Sequence, residues 1–364
     1  MTDPTDIVIS ADSHVLEPKD LWTRALGPKY GEGVPRYIEG YGGDPGLYFF
    51  TGRHALKVGS SRDTDQVERY QKLETAGRDP AVRLGIMDVE RVHAEVLNAS
   101  WAMLTTSILD AALRRDCARV FNDYLVEYCA AAKKRLIGVA LVPIEDVDWA
   151  LLEIERVAAQ GIAGVMVPLR PMEGAKPYRD PRYDRVWASL AEKHLPVTLH
   201  SGTGWVADPS THYNDIQTVP RAFIEFFNEA APVLAEDFIF GGILDRSPTL
   251  QLYLVEFDAS WLPIFRYRAE RIEKYPGLAP LKKPAGRFLA ENVHVGFIND
   301  PLAAKLRAEI GVDRMMWGSD FPHPPCPYPN IRERLDTEIL AGVPADERRK
   351  LVADNVRALY RIEV

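Results

Sequence analysis

The chain has 364 residues, of which 46% are apolar and 26% charged, so it is long enough to bury a large core. Its 52 acidic and 44 basic residues give a net charge of −8 without a long basic run, which argues against nucleic acid or an anionic membrane as the partner. The three scattered cysteines do not suit a disulfide framework, and no segment approaches the roughly 20 apolar residues that span a bilayer. With an N-terminus unlike a signal peptide, these properties predict a cytoplasmic globular protein.

Eight short apolar runs rich in Val, Ile and Leu predict eight strands, and helical patterns lie between most of them. Continuous apolar runs are typical of strands that are buried on both faces. The predicted strands are residues 7–10, 94–98, 137–142, 164–168, 197–200, 252–257, 293–297 and 315–318. Helical periodicity is clear over residues 107–134, 145–160 and 183–193. Strands that alternate with helices over this length favour a closed (β/α)₈ TIM barrel, forming a single domain over residues 1–364.

Two long segments interrupt this alternation. Residues 18–80 follow the first strand and are rich in Gly, Pro, Tyr and Arg, and residues 203–248 follow the fifth strand. Segments that follow barrel strands surround the active-site face. We therefore expect both excursions to form the rim of a pocket for a small-molecule substrate.

Ionisable side chains stand at the carboxyl ends of four predicted strands. Asp12 and His14 close the first run, and residues two apart in a strand point to the same side. His200 closes the fifth run, Glu256 the sixth and Asp320 the eighth. The strand ends of a barrel converge at one mouth, and histidine with carboxylate suits a divalent metal such as Zn²⁺, Mn²⁺ or Fe²⁺.

Each of these residues also has a structural explanation when it is taken alone. An Asp–x–His pair at a strand end fits a helix N-cap or a satisfied polar pair, and Asp320 before Phe-Pro fits a turn. Glu256 could pair with Arg266 or Arg268, and His200 could be a hydrogen-bonded wall residue. Four independent structural roles at the same end of barrel strands are improbable together, so a metal site is the favoured interpretation.

The motifs DSHVLEP, LHSGTG, LVEFDASW and WGSDFPHP occur in this order and resemble the amidohydrolase-related family of the metal-dependent hydrolase superfamily. The branch concerned includes aminocarboxymuconate-semialdehyde decarboxylase and the resorcylate and carboxyvanillate decarboxylases. The resemblance covers residues 7 to about 355 and implies a (β/α)₈ barrel with one divalent metal, and a homodimer. By position, it implies that the metal ligands are Asp12, His14, His200 and Asp320.

Two positions depart from the pattern of this family. The first ligand position is usually His or Glu, whereas here it is Asp12, which can still bind a metal. The decarboxylases resemble one another in a sixth-strand His that serves as acid/base, where this chain has Glu256. A carboxylate there could act as acid/base if burial raised its pKa, or it could join the metal shell. The fourth strand has no lysine that could bridge two metals, which favours a mononuclear site.

The missing sixth-strand His favours a metal-dependent hydrolase that acts on a small carboxylated or aromatic substrate with a water activated by the metal, most simply Zn²⁺. Asp320 is the expected proton acceptor, and Glu256 or His323 would return the proton to the leaving group. The first alternative is a metal-dependent, non-oxidative decarboxylase of a hydroxylated aromatic or muconate-like acid. The second alternative is a non-catalytic barrel that binds a small molecule.

Four further residues are candidates for contact with the substrate. Arg53 and Arg170 follow the first and fourth strands, where a guanidinium could bind a substrate carboxylate. Trp101 and Trp205 follow the second and fifth strands, where they could line an aromatic pocket. Ordinary surface arginines and core tryptophans are the alternative explanation, and the sequence leaves both open.

Overall fold

A computed structural model describes residues 7–52, 55–58, 64–204, 227–323 and 325–363. The strands in these ranges are β1 (Ile9–His14), β2 (Arg36–Tyr41), β3 (Asp44–Phe50), β4 (Ala55–Lys57), β5 (Ala94–Asn98), β6 (Leu136–Leu141), β7 (Gly164–Met166), β8 (Val197–His200), β9 (Leu252–Val255), β10 (Val293–Phe297) and β11 (Met315–Trp317). β1 and β5 to β11 form an eight-stranded parallel sheet in chain order, and β2 to β4 form a small antiparallel sheet.

The eight-stranded sheet closes on itself beside β1. Ser13 of β1 pairs in parallel with Phe321, four residues after the end of β11. The His14 amide donates to the Phe321 carbonyl at 2.7 Å, and the Asp320 amide donates to the Asp12 carbonyl at 2.9 Å. The predicted TIM barrel is therefore confirmed, and its seam joins β1, which carries Asp12 and His14, to the segment after β11 that carries Asp320.

The helices between the strands cover the outside of the barrel. Three of them, at Ala111–Ala130, Val147–Ala159 and Asp184–Glu192, correspond to the predicted helical segments. In chain order the helices are α1 (Leu21–Tyr30), α2 (Thr64–Arg78), α3 (Pro80–Glu90), α4 (Trp101–Leu104), α5 (Ala111–Ala130), α6 (Val147–Ala159), α7 (Asp184–Glu192), α8 (Phe227–Val233), α9 (Ile243–Arg246), α10 (Leu262–Ile272), α11 (Ala285–Asn292), α12 (Pro301–Lys305), α13 (Arg307–Ile310), α14 (Ile331–Arg334), α15 (Ala345–Arg349) and α16 (Asn355–Tyr360). Within the described ranges, none of these helices has the length and apolarity needed to cross a bilayer.

Burial explains why the strands are apolar throughout. Every residue of β6 is buried, because one face of the strand packs inside the barrel and the other beneath the helices. Asp110 and Asp146 cap the helices on either side of this strand, Asp110 accepting two backbone N–H groups of the first helical turn and Asp146 accepting one. The core thus lies both within the barrel and between the barrel and its helices.

The segment at 18–80 is more ordered than a loop excursion, which corrects the sequence interpretation. It contains α1, the sheet of β2 to β4, and α2. The Phe49 ring of β3 is fully buried, with its centroid 5.5 Å from Trp22 of α1 and 5.3 Å from Trp101 of α4. The many glycines and prolines obscured the strand pattern of this segment in the sequence. These short strands are stabilised by aromatic packing against the barrel. Of the second excursion, residues 205–226 lie outside the described ranges.

Candidate metal centre

The candidate ligands stand at the carboxyl ends of three strands and the loop after a fourth. Asp12 and His14 lie within the last three residues of β1, both buried, and His200 is the last residue of β8. Glu256 follows β9 and Asp320 lies three residues beyond β11, with φ angles of 62° and 54°. A non-glycine residue in this left-handed region costs on the order of 1–3 kcal/mol and often marks a functional site. The fold therefore holds these two carboxylates at the mouth against a local backbone preference.

Six side chains meet at this mouth in two overlapping groups. One ligand atom each from Asp12, His14, His200 and Glu256 lies within 4.8 Å of the others, and the same holds for the group of His14, Glu256, Asp320 and His323. His14 Nε2 is at the centre, 3.5 Å from Asp12 Oδ1, 3.4 Å from Glu256 Oε1 and 3.4 Å from Asp320 Oδ1.

The unsatisfied atoms of the cluster are those that a cation would use. His14 Nε2, His200 Nε2 and Asp12 Oδ2 are buried and have no hydrogen-bond partner among the described residues. The other ring nitrogens are occupied, since His14 Nδ1 donates to the Ala99 carbonyl at 2.5 Å and His200 Nδ1 to the Ser201 carbonyl at 2.9 Å. These bonds leave both Nε2 atoms facing the cluster, where a deprotonated Nε2 presents its lone pair to a metal. Two imidazoles with several carboxylates therefore fit a divalent cation.

The charges of the cluster also favour a cation. Burial and the neighbouring His323 lower the pKa of His14 to about 4, which keeps its imidazole neutral. Although burial disfavours the His200 imidazolium, the Glu256 and Asp12 carboxylates raise the pKa of His200 to about 9. Burial likewise favours the neutral acid at Glu256, but His200, His14 and His323 lower the pKa of Glu256 well below its ordinary range. A divalent cation would compete with the proton for the same position on His200.

Asp320 and His323 form a pair that holds a proton. His323 Nδ1 lies 2.7 Å from Asp320 Oδ1 and 3.8 Å from Glu256 Oε1. Burial and the Glu256 charge raise the pKa of Asp320 well above its ordinary value. Burial opposes the His323 imidazolium, yet the Asp320 and Glu256 carboxylates raise the pKa of His323 as well. The pair therefore retains a proton at neutral pH, immediately beside the candidate metal position.

The structure brings together all six residues that the sequence singled out for metal binding or proton transfer: Asp12, His14, His200, Glu256, Asp320 and His323. The alternative pairing of Glu256 with Arg266 is absent, because the Arg266 guanidinium pairs with Glu270 at 2.9 Å. The individual roles of these side chains stay predictions. Among them, Glu256 is placed closer to the expected ligands than Asp320, because it belongs to both groups whereas Asp320 is grouped only with His14, Glu256 and His323.

The structure describes only two of the four residues that were predicted to contact the substrate. Arg53 and Trp205 lie outside the described residues. Trp101 begins α4 after β5 and is half-buried, with its ring packed 5.3 Å from Phe49 and 6.0 Å from Tyr37. Arg170 follows β7 and is half-buried. Trp101 and Arg170 thus remain candidates for contact with a substrate.

Three residues that contact the cluster were missed by sequence analysis: Asn98, Ser100 and Ser201, whose hydroxyl donates to Glu256 Oε2 at 2.6 Å. Asn98 is the last residue of β5, and its Nδ2 donates to Asp12 Oδ1 at 2.8 Å. The Ser100 hydroxyl lies 3.0 Å from His323 Nε2. The strand-end argument that identified the acids and histidines applies equally to Asn98, but an amide at a strand end is not a metal-ligand signal and was passed over.

Gly318 explains how Asp12 and Asp320 come so close across the seam. A Cβ atom at Gly318 would lie 2.5 Å from Asp12 Cβ and 3.1 Å from the Asp12 backbone nitrogen. We expect Gly318→Ala to destabilise the protein by roughly 1–3 kcal/mol, because β1 would have to move away from β11. Urea unfolding measures this change. Gly85→Ala is the matched control: nothing lies within 4 Å of its Cβ position in α3, so it should be stabilising by about 0.5–1 kcal/mol. Equal stability of the two variants would contradict the steric argument.

An eight-stranded parallel barrel with histidines and carboxylates at the carboxyl ends of its strands defines a class of barrel enzymes that hold metals there. The sequence model of the amidohydrolase family matches residues 73–362. The chain therefore belongs to the amidohydrolase family, as its motifs suggested.

Relatives with described activities are decarboxylases. The gamma-resorcylate decarboxylase of Rhizobium sp. (strain MTP-10005) is 26% identical over 292 residues, covering 77% of this chain and 86% of the relative. The gamma-resorcylate decarboxylase of Rhodococcus jostii (strain RHA1) is 24% identical over 296 residues, covering 78% and 87%.

Solved structures share the fold over nearly the whole chain. An amidohydrolase from Mycobacterium avium subsp. paratuberculosis K-10 superposes with a TM-score of 0.78 at 20% identity, covering 97% of this chain and 99% of that one. A dihydroxybenzoic acid decarboxylase from Polaromonas sp. JS666, with bound manganese and the inhibitor 2-nitroresorcinol, has a TM-score of 0.70 at 20% identity, covering 98% and 97%.

The prediction of hydrolysis is wrong in the light of these relatives, and the decarboxylase alternative agrees with them. That prediction depended on the absence of a histidine from the sixth strand. The structure shows why this absence is a weak argument: His323, from the loop after β11, brings an imidazole to within 3.8 Å of Glu256. An acid/base group can reach a barrel mouth from any strand end.

Proposed function

We propose that this protein catalyses the metal-dependent, non-oxidative decarboxylation of a hydroxylated aromatic acid. The observation that carries the proposal is that relatives matched over 77% of the chain are gamma-resorcylate decarboxylases. The site supports it, because a candidate metal cluster and a proton-holding pair lie side by side at the barrel mouth.

Asp12, His14, His200 and Asp320 are the proposed metal ligands, and Glu256 lies where it can join them. A divalent cation held there supplies Lewis-acid polarisation of a substrate oxygen. Zn²⁺ stays the predicted ion, although a structure of a dihydroxybenzoic acid decarboxylase contains manganese, and a donor set rich in carboxylates also suits Mn²⁺. Elemental analysis of the purified protein distinguishes the two, and light scattering tests the predicted homodimer.

The Asp320–His323 pair is the proposed proton source. When the bond between the ring carbon and the carboxylate breaks, CO₂ leaves and the electron pair stays on the ring carbon, which then takes one proton. His323 is 26% exposed at the mouth, whereas Asp320 behind it is almost fully buried. Glu256, which contacts the same imidazole, favours its protonated form. The pair can thus hold a proton at the mouth and release it to carbon.

Residues at the rim are proposed to orient the aromatic acid. Arg53 and Arg170 would bind a carboxylate through paired N–H groups, and Trp101 and Trp205 would pack against the ring.

Incubation of the metal-loaded protein with gamma-resorcylate and other hydroxylated benzoates should release CO₂. In D₂O, the product should carry one deuterium at the carbon that lost its carboxylate, because that carbon takes a solvent-derived proton. Mass spectrometry and proton NMR measure both results. Release of no CO₂ from any of these acids by protein shown to contain metal would overturn the proposal. Binding of the acids without turnover would instead favour the non-catalytic alternative.

A further inference from the structure

Asn98, the last residue of β5, and the two residues that follow it each contact a different member of the cluster. Asn98 donates to Asp12 at 2.8 Å, the Ala99 carbonyl accepts from His14 Nδ1 at 2.5 Å, and the Ser100 hydroxyl meets His323 Nε2 at 3.0 Å. We call the segment from Asn98 to Ala102 the β5 turn. Its conformation sets the position of two proposed ligands and the proposed proton donor at once.

The buried carboxylate of Glu17 accepts hydrogen bonds from three backbone amides of the β5 turn. Glu17 Oε1 accepts the backbone N–H groups of Ser100 at 3.2 Å and Ala102 at 3.0 Å, and its Oε2 accepts that of Trp101 at 3.0 Å. The side chain is fully buried. No basic side chain forms an ion pair with it in the described ranges of the chain, so its three amide bonds are what offset the loss of hydration.

Burying a carboxylate is costly unless hydrogen bonds or an opposite charge replace its lost hydration. Burial raises the pKa of Glu17, and the backbone amides of Ala102, Trp101 and Ser100, together with that of Glu17 itself, oppose the rise. A neutral cap such as serine or asparagine would satisfy one or two of these amides, whereas a carboxylate from a different strand satisfies three and ties the turn to β1. Glu17 lies three residues beyond His14 in the chain, so it links the turn to the strand that carries two proposed ligands.

We propose that Glu17 is a positioning residue that anchors the β5 turn and thereby orients His323 and His14. It touches neither imidazole, and it acts through the backbone amides of residues 100–102. Within the β5 turn, the Ser100 hydroxyl contacts His323 and the Ala99 carbonyl accepts a hydrogen bond from His14. The consequence for catalysis depends on the proposed function, whereas the consequence for the two imidazoles does not.

The test uses protein labelled with ¹⁵N-histidine, with the ring signals assigned by their loss in His323→Asn and His14→Asn. We expect Glu17→Gln to shift the ring signals of both histidines at constant pH, because one oxygen that accepts an amide becomes an amide donor. Ser100→Ala should shift the His323 signals, and Ser100→Thr, which keeps the hydroxyl, should restore them. Glu153→Gln is the control: this fully buried carboxylate pairs with Arg119 and Arg156 on the outer helices, and its loss should leave both sets of signals unchanged.

The kinetic readout separates positioning from general destabilisation. Removal of an outer partner of a metal site typically costs 10–100-fold in activity or metal affinity. We expect Glu17→Gln and Ser100→Ala to lower kcat by about tenfold, at the lower end of that range, with KM little changed. Ser100→Thr and Glu153→Gln should keep kcat near that of the unaltered protein.

The proposal would be overturned if the Glu17→Gln variant lost stability to the same extent as Glu153→Gln but kept both histidine ring signals unshifted. If Glu17→Gln does not fold, the Ser100 variants decide, because an unshifted His323 signal in Ser100→Ala removes the connection to the turn. If the unaltered protein releases no CO₂, the proposed function fails, while the ring signals still show whether the anchor exists.

Discussion

Replacement of Asp320 by Asn is expected to lower the rate of decarboxylation by about 10³-fold, within the range that a positioned proton donor contributes. The substitution keeps the size of the side chain but removes the carboxylate that holds His323 Nδ1 at 2.7 Å. It also removes one of the anionic groups around His14 Nε2. Initial rates of CO₂ release, measured with saturating metal, give the ratio directly.

Asp313→Asn is the matched control for this result. Asp313 precedes β11 at the opposite end of the strand and forms an exposed ion pair with Lys350. Exposed pairs are screened by water and contribute little to stability, so this variant should keep both its fold and its rate. An Asp320→Asn enzyme with an unchanged rate would remove Asp320 from the proton pathway.

Replacement of His200 by Asn should weaken metal binding by about 100-fold or more, beyond what loss of an outer partner costs. His200 Nε2 has no hydrogen-bond partner among the described residues and lies 3.7 Å from Asp12 Oδ1, and asparagine cannot present an equivalent nitrogen lone pair. The affinity can be measured by competition with a chelator of known strength, followed by elemental analysis.

His294→Asn provides a control of the same residue type and burial. The His294 ring lies at the start of β10, where its Nε2 is 3.0 Å from an Arg314 nitrogen, far along the strand from the mouth. Its loss should reduce stability without changing the metal affinity. Equal retention of metal by the His200 and His294 variants would exclude His200 as a ligand.

The convergence of Asp12, His14, His200 and Asp320 could be inferred from the sequence, because parallel strands that close into a barrel must bring their carboxyl ends to one mouth. Apolar runs located the strands, and the ionisable residues at the ends of four of these runs located the site. The same information could not decide the reaction. Hydrolysis was inferred from one missing histidine, whereas an imidazole reaches the cluster from another loop in the form of His323.

Only the tertiary structure decided which groups surround each candidate ligand. The positive φ angles at Glu256 and Asp320 turn their side chains towards His14, and no sequence pattern announces a strained backbone at a non-glycine residue. Glu17 reads in sequence as one more acid in a motif, and its three amide partners lie more than 80 residues away. Hydrophobic periodicity is a local property of the sequence, so the alternation of strand and helix patterns along the chain was enough to predict the barrel and the end at which the site lies. Hydrogen bonds between segments that are distant in sequence depend on tertiary packing, so only the three-dimensional structure shows them.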